Sequence, residues 1–243
     1  MFETGAEGEV TLPVSAWLLR HPKGAALFDT GLPAVLTADC ERRQKLGRVM
    51  QVTFDEDATV AAQLRASDED PGRIDFVVVS HLHFDHVGGL SMIPNATVVI
   101  QRTEWEAAMA IEDESKSFNK RADHDLGHTL KLIDGEHDLF GDGAVTCIPT
   151  PGHTVGHQSL RVRSAAGEVV LASDCCYFAR TLDGGPLPTF GADFDLQRRS
   201  IDRLRKLRDG GATIIPGHDI EVVRAMPRLL GGETERPGRD PLG

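Results

Sequence analysis

The chain has 243 residues, and its 26 Lys and Arg against 37 Asp and Glu give a formal net charge of −11 at pH 7. That length allows one good-sized domain or two small ones, and 40% hydrophobic residues are typical of a globular chain rather than a disordered one. An acidic chain lacks the broad basic face that phosphate backbones select, so we expect no nucleic acid among its partners.

The N-terminus and the cysteines indicate a reducing compartment. The first ten residues contain neither a basic nor an apolar stretch, so no signal peptide is expected. No run approaches the ~20 apolar residues of a membrane span, which predicts no membrane partner. The four cysteines form no C-x-x-C pair and are too sparse for a disulfide scaffold. We therefore expect reduced thiols and a cytoplasmic protein.

The hydrophobic pattern alternates short strands with helices along the chain. Strands are predicted over residues 10–20, 25–29, 74–80, 98–101, 144–149, 158–163, 168–173 and 212–216. The first two form a hairpin around the turn HPKG. Helices are predicted over residues 57–66, within the charged segment 103–130 and over 195–208. Without an internal repeat or a linker, this pattern predicts a single α/β domain over residues 1–243, with a flexible tail from about residue 231.

Histidines and aspartates follow four of these strands directly. They are the run His81 to His86 after strand 74–80, His153 after strand 144–149, Asp174 after strand 168–173 and His218 after strand 212–216. Because ligand sites gather at the carboxyl ends of strands in open sheets, we expect these side chains to converge. Imidazole and carboxylate together suit Zn²⁺, with Mn, Fe, Co and Ni as substitutes.

Spacing within the segment SHLHFDH indicates two ligand pairs. His81, His83 and Asp85 lie at i, i+2 and i+4 and can point the same way from an extended segment, whereas His86 turns to the other side. His81 and His83 can therefore serve one ion, and Asp85 with His86 can serve another.

These motifs resemble the metallo-β-lactamase superfamily. The resemblance runs through LPV at 12–14, FDTG at 28–31, SHLHFDHVGG at 80–89, TPGHTVGHQSL at 150–160, SDCCY at 173–177 and PGHD at 216–219. Within the superfamily the chain is most similar to the N-acyl homoserine lactone lactonases, which are quorum-quenching enzymes. The resemblance implies a four-layer αβ/βα sandwich with two divalent metal ions between its sheets.

The same resemblance implies roles for individual residues. The first ion would be bound by His81, His83 and His153, the second by Asp85, His86 and His218, and both by the bridging Asp174. Tyr177 stands where these lactonases place a substrate-contacting tyrosine, and Phe84 resembles an aromatic residue that packs against the substrate. Asp29 resembles a carboxylate of the superfamily that orients a ligand histidine.

The implied activity is hydrolysis of a carboxylic ester, with opening of the ring of N-acyl homoserine lactones. Bound metal ions lower the pKa of water toward ~7, which supplies a nucleophile for the lactone carbonyl. Tyr177 would stabilise the developing oxyanion, and Asp85 would deliver a proton to the leaving alkoxide.

Other hydrolases of the superfamily share the motifs and stay open as alternatives. They are a pyridoxolactone-type lactonase and a glyoxalase II-like thioesterase, while a single tightly bound iron would favour a persulfide dioxygenase. The thioesterases usually carry a basic glutathione-binding segment near the C-terminus. Residues 198–208 of this chain are instead typical of the solvated face of an amphipathic helix.

Two features depart from the lactonase pattern. The family usually has another strand ahead of residues 10–20, where this chain has about ten residues. Segment 103–130 carries no matching motif, and its His124 and His128, at i and i+4, are expected on the surface of a helix. The acyl-chain preference stays open, and a monomer or a homodimer is expected.

Overall fold

The computed structural model describes residues 10–226. Within this range the chain forms two five-stranded sheets and seven α-helices. The strand usual in the family ahead of residue 10 and the tail expected from about residue 231 lie outside the described residues. None of the described helices has the length and apolar character needed to span a membrane.

The first sheet is formed by the N-terminal half of the chain. Its strands are, in spatial order, β1 (Trp17–His21), β2 (Gly24–Phe28), β3 (Phe76–Val78), β4 (Thr97–Gln101) and β5 (Leu130–Ile133). β1 and β2 form the predicted antiparallel hairpin, and the remaining pairs are parallel. β4 is buried on both faces, because Val98 and Ile100 pack toward helices while Val99 packs toward the second sheet.

The second sheet is formed by the C-terminal half. Its strands are β6 (His137–Asp138), β7 (Val145–Pro149), β8 (Gln158–Ser164), β9 (Gly167–Ser173) and β10 (Thr213–Pro216). Their spatial order is β10-β9-β8-β7-β6, with β10 parallel to β9 and the other neighbours antiparallel. β7, β9 and β10 therefore run in the same direction and end at the same edge.

Helices cover the outer face of each sheet. The described residues form the helices α1 (Glu41–Leu46), α2 (Val60–Ala66), α3 (Phe84–Val87), α4 (Arg102–Met109), α5 (Arg121–His124), α6 (Phe194–Asp209) and α7 (Ile220–Ala225), of which α2, α4 and α6 do so. Leu64 of α2 and Ala108 of α4 pack outside the first sheet, and Leu204 of α6 packs outside the second. Phe28 and Leu171 belong to a cluster between the sheets. The layers run helix, sheet, sheet, helix, which confirms the predicted four-layer α/β sandwich.

Some element boundaries differ from the sequence prediction. β1 begins only at Trp17, so residues 10–16 form no strand. Helix α2 begins at Val60 because the preceding Thr59 caps it, accepting a hydrogen bond of 3.3 Å from the backbone N–H of Ala62.

Segment 103–130 forms the expected peripheral helices but leads into a strand that was not predicted. β5 has four residues at the edge of its sheet, with Lys131 exposed and only Ile133 buried, so its hydrophobic pattern is weak. The expectation for the two histidines of this segment was wrong. His124 is buried, with its ring edge-on to Trp105 at 5.6 Å, and His128 lies outside any helix.

Candidate metal centre

The histidines and aspartates singled out by the sequence meet at one edge of the two sheets. β3 ends just before the run His81 to His86, and β7, β9 and β10 end just before His153, Asp174 and His218. Because these last three strands run in the same direction, their carboxyl ends lie together and face the end of β3 across the sandwich. His86 and His218, 132 positions apart in the chain, thereby become neighbours, with their ring centres 5.5 Å apart.

The converging side chains form two groups, each compact enough to hold a metal ion. The first cluster consists of His81, His83, His153 and Asp174, and the second cluster consists of Asp85, His86 and His218. The potential ligand atoms of each group lie within 4.8 Å of one another.

A helical turn separates the two clusters within the segment SHLHFDH. His83 has extended backbone angles, whereas α3 begins at the next residue and includes Asp85 and His86. The expectation of one extended segment through Asp85 is therefore corrected. The grouping of Asp85 with His86 arises because the helical turn directs both side chains toward the second cluster.

The carboxylate of Asp174 lies between the two clusters. Its Oδ1 is 2.9 Å from His218 Nε2 and 3.1 Å from His86 Nε2. Its Oδ2 is 3.2 Å from His153 Nε2 and 3.9 Å from His81 Nε2. Each oxygen thus faces the imidazoles of a different cluster, as a carboxylate shared by two metal ions must do.

The donor atoms fit divalent metal ions. Among the buried polar atoms of the described residues that have no hydrogen-bond partner is His81 Nε2 of the first cluster. A buried polar atom without a partner is costly, and coordination of a metal would satisfy it. His83 Nδ1 and His153 Nε2 lie 3.1 Å apart and point into the same space. Imidazole nitrogens with carboxylate oxygens are the ligands that zinc and neighbouring transition metals take.

Asp29 lies behind His86, on the side of the imidazole ring that faces away from the second cluster. Its Oδ2 is 2.9 Å from His86 Nδ1. Ser80 donates to both oxygens, from its N–H at 2.7 Å and its hydroxyl at 2.8 Å, and Ser173 donates from its hydroxyl at 3.3 Å. With Nδ1 held by the carboxylate, Nε2 of His86 is left facing the cluster. The backbone of Asp29 has φ +60°, a left-handed conformation that Asp tolerates better than most residues.

Burial dominates the electrostatics of the first cluster. It lowers the pKa of His81 and His153 well below 6.5 and that of His83 to about 4. These imidazoles are therefore neutral at neutral pH, which is the form that binds a metal.

In the second cluster, nearby carboxylates outweigh burial and raise the pKa of the imidazoles. Burial alone would lower the pKa of His86, but Asp174, Asp85 and Asp29 raise it well above 6.5. Asp174 likewise raises the pKa of His218 against the effect of burial. These imidazoles therefore hold protons more tightly than those of the first cluster.

Tyr177 and Phe84 line a cavity of about 1770 Å³ that opens onto both clusters. The ring of Tyr177 lies 4.8 Å from that of His218 and 5.8 Å from that of His153. Burial, the charge of Asp174 and a hydrogen bond to that carboxylate raise the pKa of Tyr177, so its phenol stays protonated. Phe84 is buried and forms part of the cavity wall.

Two further phenylalanines of the cavity wall were not singled out from the sequence. Phe118 stacks on Phe84 at 6.3 Å and meets His83 edge-on at 5.5 Å. Phe190 lies 5.6 Å from Phe118 and 5.9 Å from His153. Both lie in polar loops without a recognisable pattern, so no signal in the sequence could have found them.

Two mixed sheets with a pair of His/Asp clusters at one edge define a metalloprotein of the αβ/βα-sandwich class. The chain belongs to the metallo-beta-lactamase superfamily, whose sequence profile matches residues 10–218.

Relatives of known activity resemble the chain over most of its length. It is 35% identical over 237 residues to the N-acyl homoserine lactonase AttM of Azorhizobium caulinodans, covering 93% of this chain and 89% of that one. It is 34% identical over 222 residues to the N-acyl homoserine lactonase AiiA of Bacillus thuringiensis subsp. kurstaki, covering 89% and 85%. A solved N-acyl homoserine lactone hydrolase, with N-hexanoyl-L-homoserine bound at its catalytic metal centre, matches with a TM-score of 0.78 and 29% identity, covering 90% and 87%.

Proposed function

We propose that this protein is a metal-dependent lactonase that opens the ring of N-acyl homoserine lactones. One observation carries the proposal: the two oxygens of Asp174 face two separate ligand clusters at the floor of a cavity with aromatic walls. The similarity to lactonases over about nine-tenths of the chain supports the choice of substrate.

In this proposal the two clusters hold two divalent ions, with Zn²⁺ as the metal. His81, His83 and His153 would hold one ion, Asp85, His86 and His218 would hold the other, and Asp174 would serve both. The metals would supply activated water and polarise the ester carbonyl.

Tyr177 is proposed to donate a hydrogen bond to the carbonyl oxygen as negative charge develops there. Its phenol is protonated at neutral pH, because burial and the nearby carboxylates raise its pKa. The hydroxyl would leave the Asp174 carboxylate for the substrate oxygen, while the ring stays packed against His153 and His218. A hydrogen-bond donor positioned in a buried site in this way stabilises an oxyanion.

Asp85 is proposed to deliver the proton that the leaving alkoxide takes up. Its side chain is 22% exposed and lines the cavity, whereas that of Asp174 is 2% exposed and locked among imidazoles. Of the two carboxylates, only Asp85 therefore has the access that exchange of a proton with substrate and solvent requires.

Phe84 is proposed to contact the substrate, together with the neighbouring Phe118 and Phe190. The three rings lie on the side of the cavity next to His83 and His153. An apolar acyl chain would bury its surface against these rings, which favours an acyl lactone over a charged substrate.

A glyoxalase II-like thioesterase is less well supported. Three of the arginines of α6 form ion pairs elsewhere: Arg203 pairs with Glu136, Arg205 with Asp202 and Arg208 with Asp183. Within the described residues, no side chain of α6 lines the cavity.

A substrate panel tests the proposal. The zinc-loaded protein is assayed for release of acid from short- and long-chain N-acyl homoserine lactones, a pyridoxolactone-type aromatic lactone and a glutathione thioester, with the chelated protein as control. We expect saturable hydrolysis of the acyl homoserine lactones that is lost on chelation. Saturable hydrolysis of the aromatic lactone or the thioester alone would overturn the proposal in favour of that activity.

A further inference from the structure

A buried carboxylate lies behind the first cluster, outside the set of proposed ligands. Glu104, in the first turn of α4, is only 2% exposed. A carboxylate is expensive to bury unless hydrogen bonds compensate for the lost solvent. The hydrogen-bond partners of Glu104 therefore indicate its role in the structure.

Glu104 accepts one backbone hydrogen bond from each of the two loops that carry the first cluster. Its Oε1 accepts from the backbone N–H of Leu82 at 3.1 Å, and its Oε2 accepts from the backbone N–H of Gly156 at 3.0 Å. Leu82 lies between His81 and His83 in the chain, and Gly156 follows His153 by three residues.

The loop after β7 is also fitted closely against this part of α4. A Cβ atom at Gly156 would lie 2.3 Å from the backbone nitrogen of Glu104 and 2.6 Å from its Cα. Only glycine allows this approach, so the hydrogen bond to Oε2 depends on the absence of a side chain at residue 156.

We propose that Glu104 is a positioning residue for the metal ion of the first cluster. Its two carboxylate oxygens fix the backbone of the two loops, and hence the spacing of His81 and His83 from His153. The inference rests on the metal centre of the proposed function, but not on the identity of its substrate.

The second cluster has separate supports. His86 Nδ1 lies against Asp29, and His218 Nδ1 donates to the backbone carbonyl of Pro13 at 2.8 Å. Loss of Glu104 should therefore affect metal binding at the first cluster and leave the second nearly unchanged.

The test measures Co²⁺ affinity by competition with a chelator, with one cluster disabled at a time. His218→Ala leaves the first cluster intact, and His153→Ala leaves the second intact. In each background Glu104→Gln is added. Gln has the shape of Glu but offers one acceptor and one donor group, so one of the two N–H groups loses its acceptor.

We expect Glu104→Gln to weaken Co²⁺ binding about 10- to 100-fold in the His218→Ala background, the range seen when a residue that orients ligands is lost. In the His153→Ala background we expect no change. Equal losses in both backgrounds would assign Glu104 a general structural role and overturn the proposal, as would unchanged affinity in both.

Two further variants control for stability. Leu204→Ala cuts a cavity into the hydrophobic core outside the second sheet, which also contains Cys175 next to the shared Asp174. It should lower the melting temperature without a selective effect on either ligand cluster. Gly156→Ala disturbs the same contact from the other loop and should reproduce the selective loss. The Co²⁺ experiment uses no lactone. If Glu104→Gln weakens Co²⁺ binding selectively but no lactone is hydrolysed, only the proposed activity is overturned and the role of Glu104 stands.

Discussion

The two ligand clusters differ in how they are built and in how they hold protons. The first cluster is dominated by imidazoles from two loops, and burial keeps them neutral. The second cluster adds a carboxylate of its own, Asp85, and its imidazoles face several negative charges that raise their pKa. Protons would therefore compete with a bound metal ion more strongly at the second cluster than at the first.

This difference has a geometric cause. Asp29 lies on the side of His86 that faces away from the cluster, so this imidazole has a carboxylate at each of its nitrogens. In contrast, His81 Nδ1 lies 3.0 Å from the hydroxyl of Ser80, a neutral partner. A carboxylate behind a ligand histidine increases its basicity, which strengthens its bond to metal and to a proton alike.

The largest effect is expected from Asp174→Asn, which removes the negative charge that faces the imidazoles of both clusters. Metal ions contribute several kcal/mol to such reactions, so kcat/KM should fall on the order of 10³-fold or more as metal is lost. Metal content by elemental analysis and turnover of an acyl homoserine lactone measure both effects. Asp142→Asn, at a partly exposed ion pair with Lys23, is the matched control. Retention of two metals per chain would contradict the shared role.

Tyr177→Phe tests whether the hydroxyl of Tyr177, whose ring contacts both clusters, contributes to turnover without contributing to metal binding. The ring and its contacts with His153 and His218 are kept, and only the hydroxyl is lost. We expect kcat to fall about 10²- to 10³-fold, as for other oxyanion donors, while metal content stays unchanged. Loss of metal from either cluster would instead make the hydroxyl part of the metal support.

Asp29→Asn is expected to weaken only the second cluster. Asn keeps the shape and tolerates the left-handed backbone, but it removes the charge behind His86. Affinity of the second cluster for Co²⁺ should fall about 10- to 100-fold, measured by titration in the His153→Ala background. Asp68→Asn is a matched control, because Asp68 also has a left-handed backbone (φ +58°) and is exposed. Weaker Co²⁺ binding in the His218→Ala background as well would show that Asp29 supports both clusters.

The α/β class and the convergence of ligand side chains could be predicted from patterns within short segments, whereas the four-layer sandwich was implied only by the resemblance to the metallo-β-lactamase superfamily. Apolar runs such as VVIQ at 98–101 identify buried strands, and each ligand residue directly follows such a run. β5 could not be predicted, since an edge strand with Lys131 exposed has little hydrophobic pattern.

Contacts between distant segments were also beyond the sequence. The hydrogen bond between Glu104 and Gly156 joins residues 52 positions apart, and its existence depends on how α4 packs against the loop after β7. The same is true of Phe118 and Phe190, which meet only because two loops fold over the same cavity. No local pattern encodes such a pairing.

The smallest expected effect is a difference in proton release between the clusters. At pH 7 the first cluster is already deprotonated, because burial lowers the pKa of its imidazoles, so a metal displaces few protons there. At the second cluster, His86 and His218 have raised pKa values and must lose protons to bind. Calorimetry in two buffers of different ionisation enthalpy counts these protons, with His218→Ala and His153→Ala isolating the first and second cluster.

The pH dependence of metal binding at each cluster follows from the protons that the metal must displace. In the metal-free protein, protonated His86 and His218 stabilise the fold fully below pH 6.5, and this contribution is lost as the pH rises through their raised pKa values. Metal binding at the second cluster should therefore strengthen with rising pH, about tenfold per pH unit for each proton displaced. Binding at the first cluster should be nearly flat from pH 6.5 to 8. Greater proton release in His218→Ala than in His153→Ala would reverse the assignment of the two clusters, because neutral imidazoles have no proton to give up.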